Sequence, residues 1–170
     1  MIDNNKKTNV HKDDDSERLE LVINATGVGI WDWQVQTGEL TFNQRWAEII
    51  GYTVDELQPI QFNTWSLNLH PDDLNKAEYL LAQHFNGEVD FYEVEARMKH
   101  KLGHYVWVLA LGKLVERDDE GQPKRMIGTH LDITERKNND EQMVLTSQLL
   151  NESQQIGHLG GWKLDLKSGD

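Results

Sequence analysis

His70, His84, His100 and His104 are the residues whose type and position could do chemistry in this chain, as metal ligands or proton carriers. His100 and His104 stand four apart, the spacing that puts two imidazoles on one helical face. Gly103 and the alternating residues on either side predict strands joined by a turn instead, so no metal site is expected there. His70 opens "HPDD", where Pro71, Asp72 and Asp73 suit a helix N-terminus and the imidazole is expected to hydrogen-bond locally. The chain has no cysteine, which excludes disulfides, thiolate metal sites and thiol-linked cofactors. No glycine-rich phosphate loop and no nucleophile with a matching base can be read, so no catalytic residue and no enzymatic activity are expected within these residues.

Charge narrows the partners. Lys and Arg total 17 against 29 Asp and Glu, a formal net charge of −12, which argues against a surface that tracks nucleic-acid phosphates or an anionic membrane. No run approaches the roughly 18 apolar residues of a spanning helix, and the first residues lack an apolar secretory core. The expectation is a cytoplasmic segment without membrane contact.

Residues 1–15 are polar and charged and are expected to form a flexible tail. From Ser16, a candidate N-cap, Leu19, Val22 and Ile23 fall at helical spacing before Gly27. "WDWQV" alternates Trp31, Trp33 and Val35 against Asp32 and Gln34, and the turn "QTGE" leads into "LTF", a hairpin. Asn43 and Gly51 bracket a short helix carrying Trp46, Ile49 and Ile50, and Thr53 with Glu56 has capping-box spacing for a second. The longest helix inside the domain runs from Pro71 towards Gly87, with Leu74, Ala77, Leu81 and Phe85 on its apolar side.

Three further strands follow. The first alternates Tyr92, Val94, Ala96 and Met98 against charged residues, the second, "HYVWVLALGKLV", is apolar on both faces, and the third is "KRMIGTHLDI". The fold class is therefore α+β: a five-stranded antiparallel sheet with short helices on one face, flanked by N- and C-terminal helices. The doubly apolar strand requires a second covering, a terminal helix or a partner subunit, with Val108 and Ala110 assigned to that outer face. Residues 138–156 predict a helical linker whose Leu145, Leu149 and Ile156 seam is broken by Glu152, pairing weakly alone and better in a homodimer.

The stretch "HLGGWKLDLKSGD" at the far end repeats the first hairpin: Gly160 falls on Gly29, Trp162 on Trp31 and Gly169 on Gly38. A repeat at the spacing of a whole domain predicts tandem modules, with residues 157–170 opening a second, truncated copy and the chain forming part of a longer multi-domain protein.

The motifs "IWDW", "FNQRWAEIIGYTVDEL", "HPDD", "EVEARMK", "LGHYVWV", "EGQPKRMIG" and "DITERK" stand in one order through residues 16–137. In that order they resemble a PAS domain with its PAC motif, of the subclass with a tryptophan-rich first strand. The resemblance implies a sensory module of a bacterial signalling protein, whose output domain in the same chain is a histidine kinase or a diguanylate cyclase. It implies a pocket for a small molecule, lined here by Trp33, Phe42, Trp46, Trp65, Leu81, Phe85, Tyr92, Val94 and Trp107, and a relay through Asp132, Ile133 and Thr134 to the linker helix. Flavin-adduct chemistry needs a reactive cysteine that is absent, and haem would need an inward axial histidine, for which His84 is the best placed. The competing assignment of His84 is a cation at a helix C-terminus. No cofactor is the expectation, and the competing function is a ligandless dimerisation scaffold.

Overall fold

The computed structural model describes residues 5–160, which divide after Ile133 into two compact units. Alternation decides the first unit. Trp31 and Trp33 of β1 (Gly29–Gln34) turn to the core, and Gly38, at φ 76°, lets the chain reverse into β2 (Leu40–Phe42). The Asn43 side chain then accepts from the Trp46 N–H at 3.0 Å, the expected cap of α2 (Gln44–Ile49), and from the Ile30 N–H at 2.9 Å, tying that helix to β1.

The Thr53–Glu56 pair forms its reciprocal bonds, yet only a single 3₁₀ turn follows, Asp55–Leu57. Gln58 is already extended because Pro59 disfavours a helical residue before it. A helix that the sequence did not announce, α3 (Phe62–Ser66), comes next and carries Trp65 inward. α4 (Pro71–Phe85) starts where expected, with His70 Nδ1 accepting from the Asp72 N–H at 3.2 Å. Its first turn is fixed to the sheet by Asp73, which accepts from the Arg97 guanidinium at 2.7 and 2.8 Å and from the Arg97 N–H at 2.8 Å. That guanidinium holds the Asp73 carboxyl below its ordinary range.

β3 (Tyr92–Lys99), β4 (Tyr105–Arg117) and β5 (Pro123–Asp132) complete one antiparallel sheet in the order β2-β1-β5-β4-β3, so the first and last strands are neighbours. Gly112 and Gly128 are register partners beneath the Trp31 ring, and a Cβ would meet that ring at 2.6 Å and 2.2 Å respectively. Only hydrogen at both positions lets the indole lie flat on the sheet.

Two expectations change here. Val108 and Ala110 face the core, while Trp107, Leu109 and Leu111 face outward, because a strand apolar at every position carries no phase of its own. α1 (Asn5–Thr26) includes residues 5–15, read as a tail, and Ser16 lies inside it and not at its cap. Once a helix has nucleated, each added turn needs no apolar contact, and Leu19, Leu21 and Val22 remain exposed.

The second unit is described as one helix, α5 (Thr134–Gly160), which includes the expected linker and continues through 157–160. The rest of the second copy, 161–170, lies outside the described residues.

Candidate functional site

Strands and helices together send side chains, most of them rings, to one place. Trp31 and Trp33 come from β1, Leu40 from β2 and Trp46 from α2; Phe62 and Trp65 come from α3 and Leu81 from α4. Tyr92 of β3 and Met126 and His130 of β5 close a cavity of about 40 Å³. Two runs of rings build its walls. Phe62 stacks on Trp33 with centroids 4.4 Å apart and tilts against Trp65 at 5.3 Å, while His130 stacks on Trp46 at 5.4 Å and meets Trp31 edge-on at 6.2 Å.

Three polar atoms of these residues are unusual. Trp31 Nε1, Trp33 Nε1 and Tyr92 Oη are buried and have no hydrogen-bond partner. No hydrogen bond among the described residues reaches the His130 ring. Leaving a buried polar group unpaired costs about 1–3 kcal/mol, and most folded domains avoid it. Burial pushes the Tyr92 phenol upward and lowers His130 from its ordinary 6.5 to about 3, so both rings are neutral at physiological pH. No lining residue is a carboxylate, ammonium or guanidinium. The site can enclose a small molecule among aromatic and aliphatic faces; its lining holds no set of groups for acid–base or nucleophilic chemistry.

Five expected pocket residues, Trp33, Trp46, Trp65, Leu81 and Tyr92, line the cavity, and four do not. Phe42 stands behind Trp46 at 4.2 Å, and Phe85 behind Trp33 at 5.9 Å. Val94 is packed in the core away from the cavity. Trp107 lies on the opposite face of the sheet, with the Arg97 guanidinium 5.4 Å above its ring. The residues missed are Trp31, Leu40, Phe62, Met126 and His130. Trp31 shares the phase of Trp33, and His130 the phase of Met126, so strand alternation could have found both; Phe62 rides on the unannounced helix.

His84 is buried, but neither as a haem ligand nor as a terminal cation. The Leu114 N–H donates to its Nε2 at 2.8 Å, which leaves the proton on Nδ1 to be donated to the Val89 carbonyl at 3.0 Å. Both nitrogens are committed to joining the end of α4 to β4. The cavity volume, far below the roughly 300–1,000 Å³ of a drug-sized pocket, likewise fits neither haem nor flavin.

The expected relay residues are consecutive in the chain, where β5 ends and α5 begins. Asp132 ends β5, Ile133 is buried with its N–H donating to the Trp107 carbonyl at 2.9 Å, and Thr134 is the first residue of α5.

A family model described as the PAS fold matches residues 39–130. The probable diguanylate cyclase DgcE of Escherichia coli is 29% identical over 130 residues, and the sensor protein FixL of Bradyrhizobium diazoefficiens 27% identical over 129. Each match takes in 75% of this chain, which spans 11% of the length of the former and 25% of the latter. Among solved structures, a sensory box histidine kinase/response regulator from Burkholderia thailandensis superposes with a TM-score of 0.69 at 27% identity, covering 79% of this chain and 98% of that one.

Proposed function

The chain belongs to the PAS fold family, and on that premise we propose that it senses a small molecule held in the aromatic cavity and hands the change to an output domain of the same protein. A sensory domain homologous to those of histidine kinases and diguanylate cyclases is the frame; the ligand and the relay are the proposal. The observation that carries it is the cavity itself, an unfilled space in the core to which β1, α2, α3 and β3 all bring aromatic side chains. His130 lines that cavity and precedes Ile133 by three residues on the same strand end. A molecule that displaces the His130 ring therefore bears on the segment Asp132–Thr134 through a single strand, and a two-position strand end is a sufficient switch element.

Dimerisation is the second part of the proposal. Trp107, Leu109 and Leu111 of β4 share the outer face with Ile127 and Leu131 of β5 and Ile30 of β1, an apolar strip at least partly open to solvent. A second copy of the chain laid on this strip would bury it. The output, a histidine kinase or a diguanylate cyclase, follows the relatives, and the segment itself performs no reaction in this scheme.

Native mass spectrometry of protein taken directly from cells tests both parts. A dimer carrying an added small mass is the expected result, with no visible absorption band. A dimer without added mass that also gains none from a cell extract would sink the ligand sensor and leave a ligandless scaffold. A haem or flavin spectrum would overturn the assignment of the cavity as the site.

A further inference from the structure

We infer that the molecule held in the cavity is uncharged and apolar, has about three non-hydrogen atoms, and is selected by shape without a hydrogen bond. This rests on the proposal above that the cavity is a ligand site, and adds what kind of ligand the walls select. The surface that meets the space is almost wholly apolar, because Trp31, Trp33 and Tyr92 present ring carbon to it and keep their polar atoms sealed in the packing. A buried water needs about two to four polar partners, and such a wall does not supply them. An apolar guest instead restores the dispersion contacts that the lining atoms lack across the gap.

The walls are braced against closing on the space. Phe62 is stacked on Trp33 and His130 on Trp46, while Trp31 lies over Gly112 and Gly128. Rings packed against rings and backbone keep their places, and the gap between them stays open. Charge is selected against there. Arg, Lys, Asp and Glu are absent from the lining, so a carboxylate or an ammonium would lose its water without meeting a counter-charge. Ring faces attract cations, but the space is too small for a cation to bring any of its water with it. A neutral acceptor such as a nitrile would likewise be buried unpaired. The volume of about 40 Å³ is roughly three times the 10–15 Å³ that holds one water, and a larger guest would push the rings out of their packing.

The test follows the methyl signals of Leu40, Leu81 and Met126 in ¹³C-methyl-labelled protein during titration with propyne, its isostere acetonitrile, formate, methylammonium and xenon. Propyne is expected to move these signals in a saturable way, with half-saturation at about 1 mM or above for so small a guest. Met98, in the core but off the cavity, and the exposed Met143 should stay put. Acetonitrile carries an unpaired acceptor in and should bind at least about fivefold more weakly, while formate and methylammonium should move nothing. Benzene should be excluded from the native protein and admitted by Leu81→Ala or, if that variant does not fold, by Leu40→Ala. If acetonitrile or a charged probe matches propyne, if benzene enters the native protein as readily, or if xenon enters and propyne does not, the ligand class is wrong and the cavity remains a site. If no probe, xenon included, perturbs the lining residues, both this inference and the ligand-sensor proposal fail.

Discussion

Tyr92 and His130 each carry a cost of burial that can be measured. Tyr92 is 3% exposed and its hydroxyl is unpaired, so Tyr92→Phe should raise the stability of the ligand-free protein by about 1 kcal/mol, read from the urea midpoint. His130 should make stability depend on pH. The folded protein keeps the ring neutral down to about pH 3, whereas the unfolded chain takes up its proton near the ordinary 6.5. The unfolded state thus binds more protons between those values. Stability is full above about 6.5 and declines by up to about 1.4 kcal/mol per pH unit as the pH falls towards 3. His130→Phe should flatten this slope between about pH 6 and 4.5, above the range in which the depressed Asp73 carboxyl begins to titrate. Equal slopes in the two proteins would show that the ring is not held neutral. At this scale the sequence was half legible. It marked Trp33, Trp46 and Tyr92 as inward, but hydrogen bonds made by a histidine to a distant backbone N–H, as His84 makes to Leu114, leave no local pattern to read.

Elements were more legible than their partners. The caps at Asn43 and His70 and the turns at Gly38 and Gly87 follow from chemistry within a few residues, and all four stand where that chemistry puts them. The start of α1 and the short α3 were misread, and so was the phase of β4, whose orientation depends on strands β3 and β5 on either side and not on its own apolar run. The same neighbours explain the glycine pair. Gly128→Ala would drive a methyl to within 2.2 Å of the Trp31 ring and 2.1 Å of the Leu111 carbonyl oxygen, and backbone cannot move aside as a side-chain tip can. A loss of about 3 kcal/mol is expected in denaturant unfolding, with the Trp31 fluorescence environment altered. Gly121→Ala meets no atom within 4 Å but sits at φ 80°, so its smaller cost of about 1 kcal/mol measures backbone conformation alone. The two substitutions separate crowding from strain.

For the whole molecule, the dimer proposed above is tested on the outer face of the sheet. Leu111→Lys, at a position 38% exposed, should leave the fold intact and shift the species from dimer to monomer in light scattering. Val108→Lys, at 1% exposure, should instead unfold the protein, since an ammonium would enter the core unpaired. A dimer that survives Leu111→Lys and Leu109→Lys together would place the interface elsewhere. Sheet order has a consequence of a different kind. Gly29, where the chain enters the sheet, is the register partner of His130, close to where it leaves, so entrance and exit lie about one strand spacing apart. About a hundred residues are thereby hung on a polypeptide at what is nearly a single point, as a bead is threaded on a string. Such a bead can be copied, removed or exchanged by recombination with little change in the path of the string.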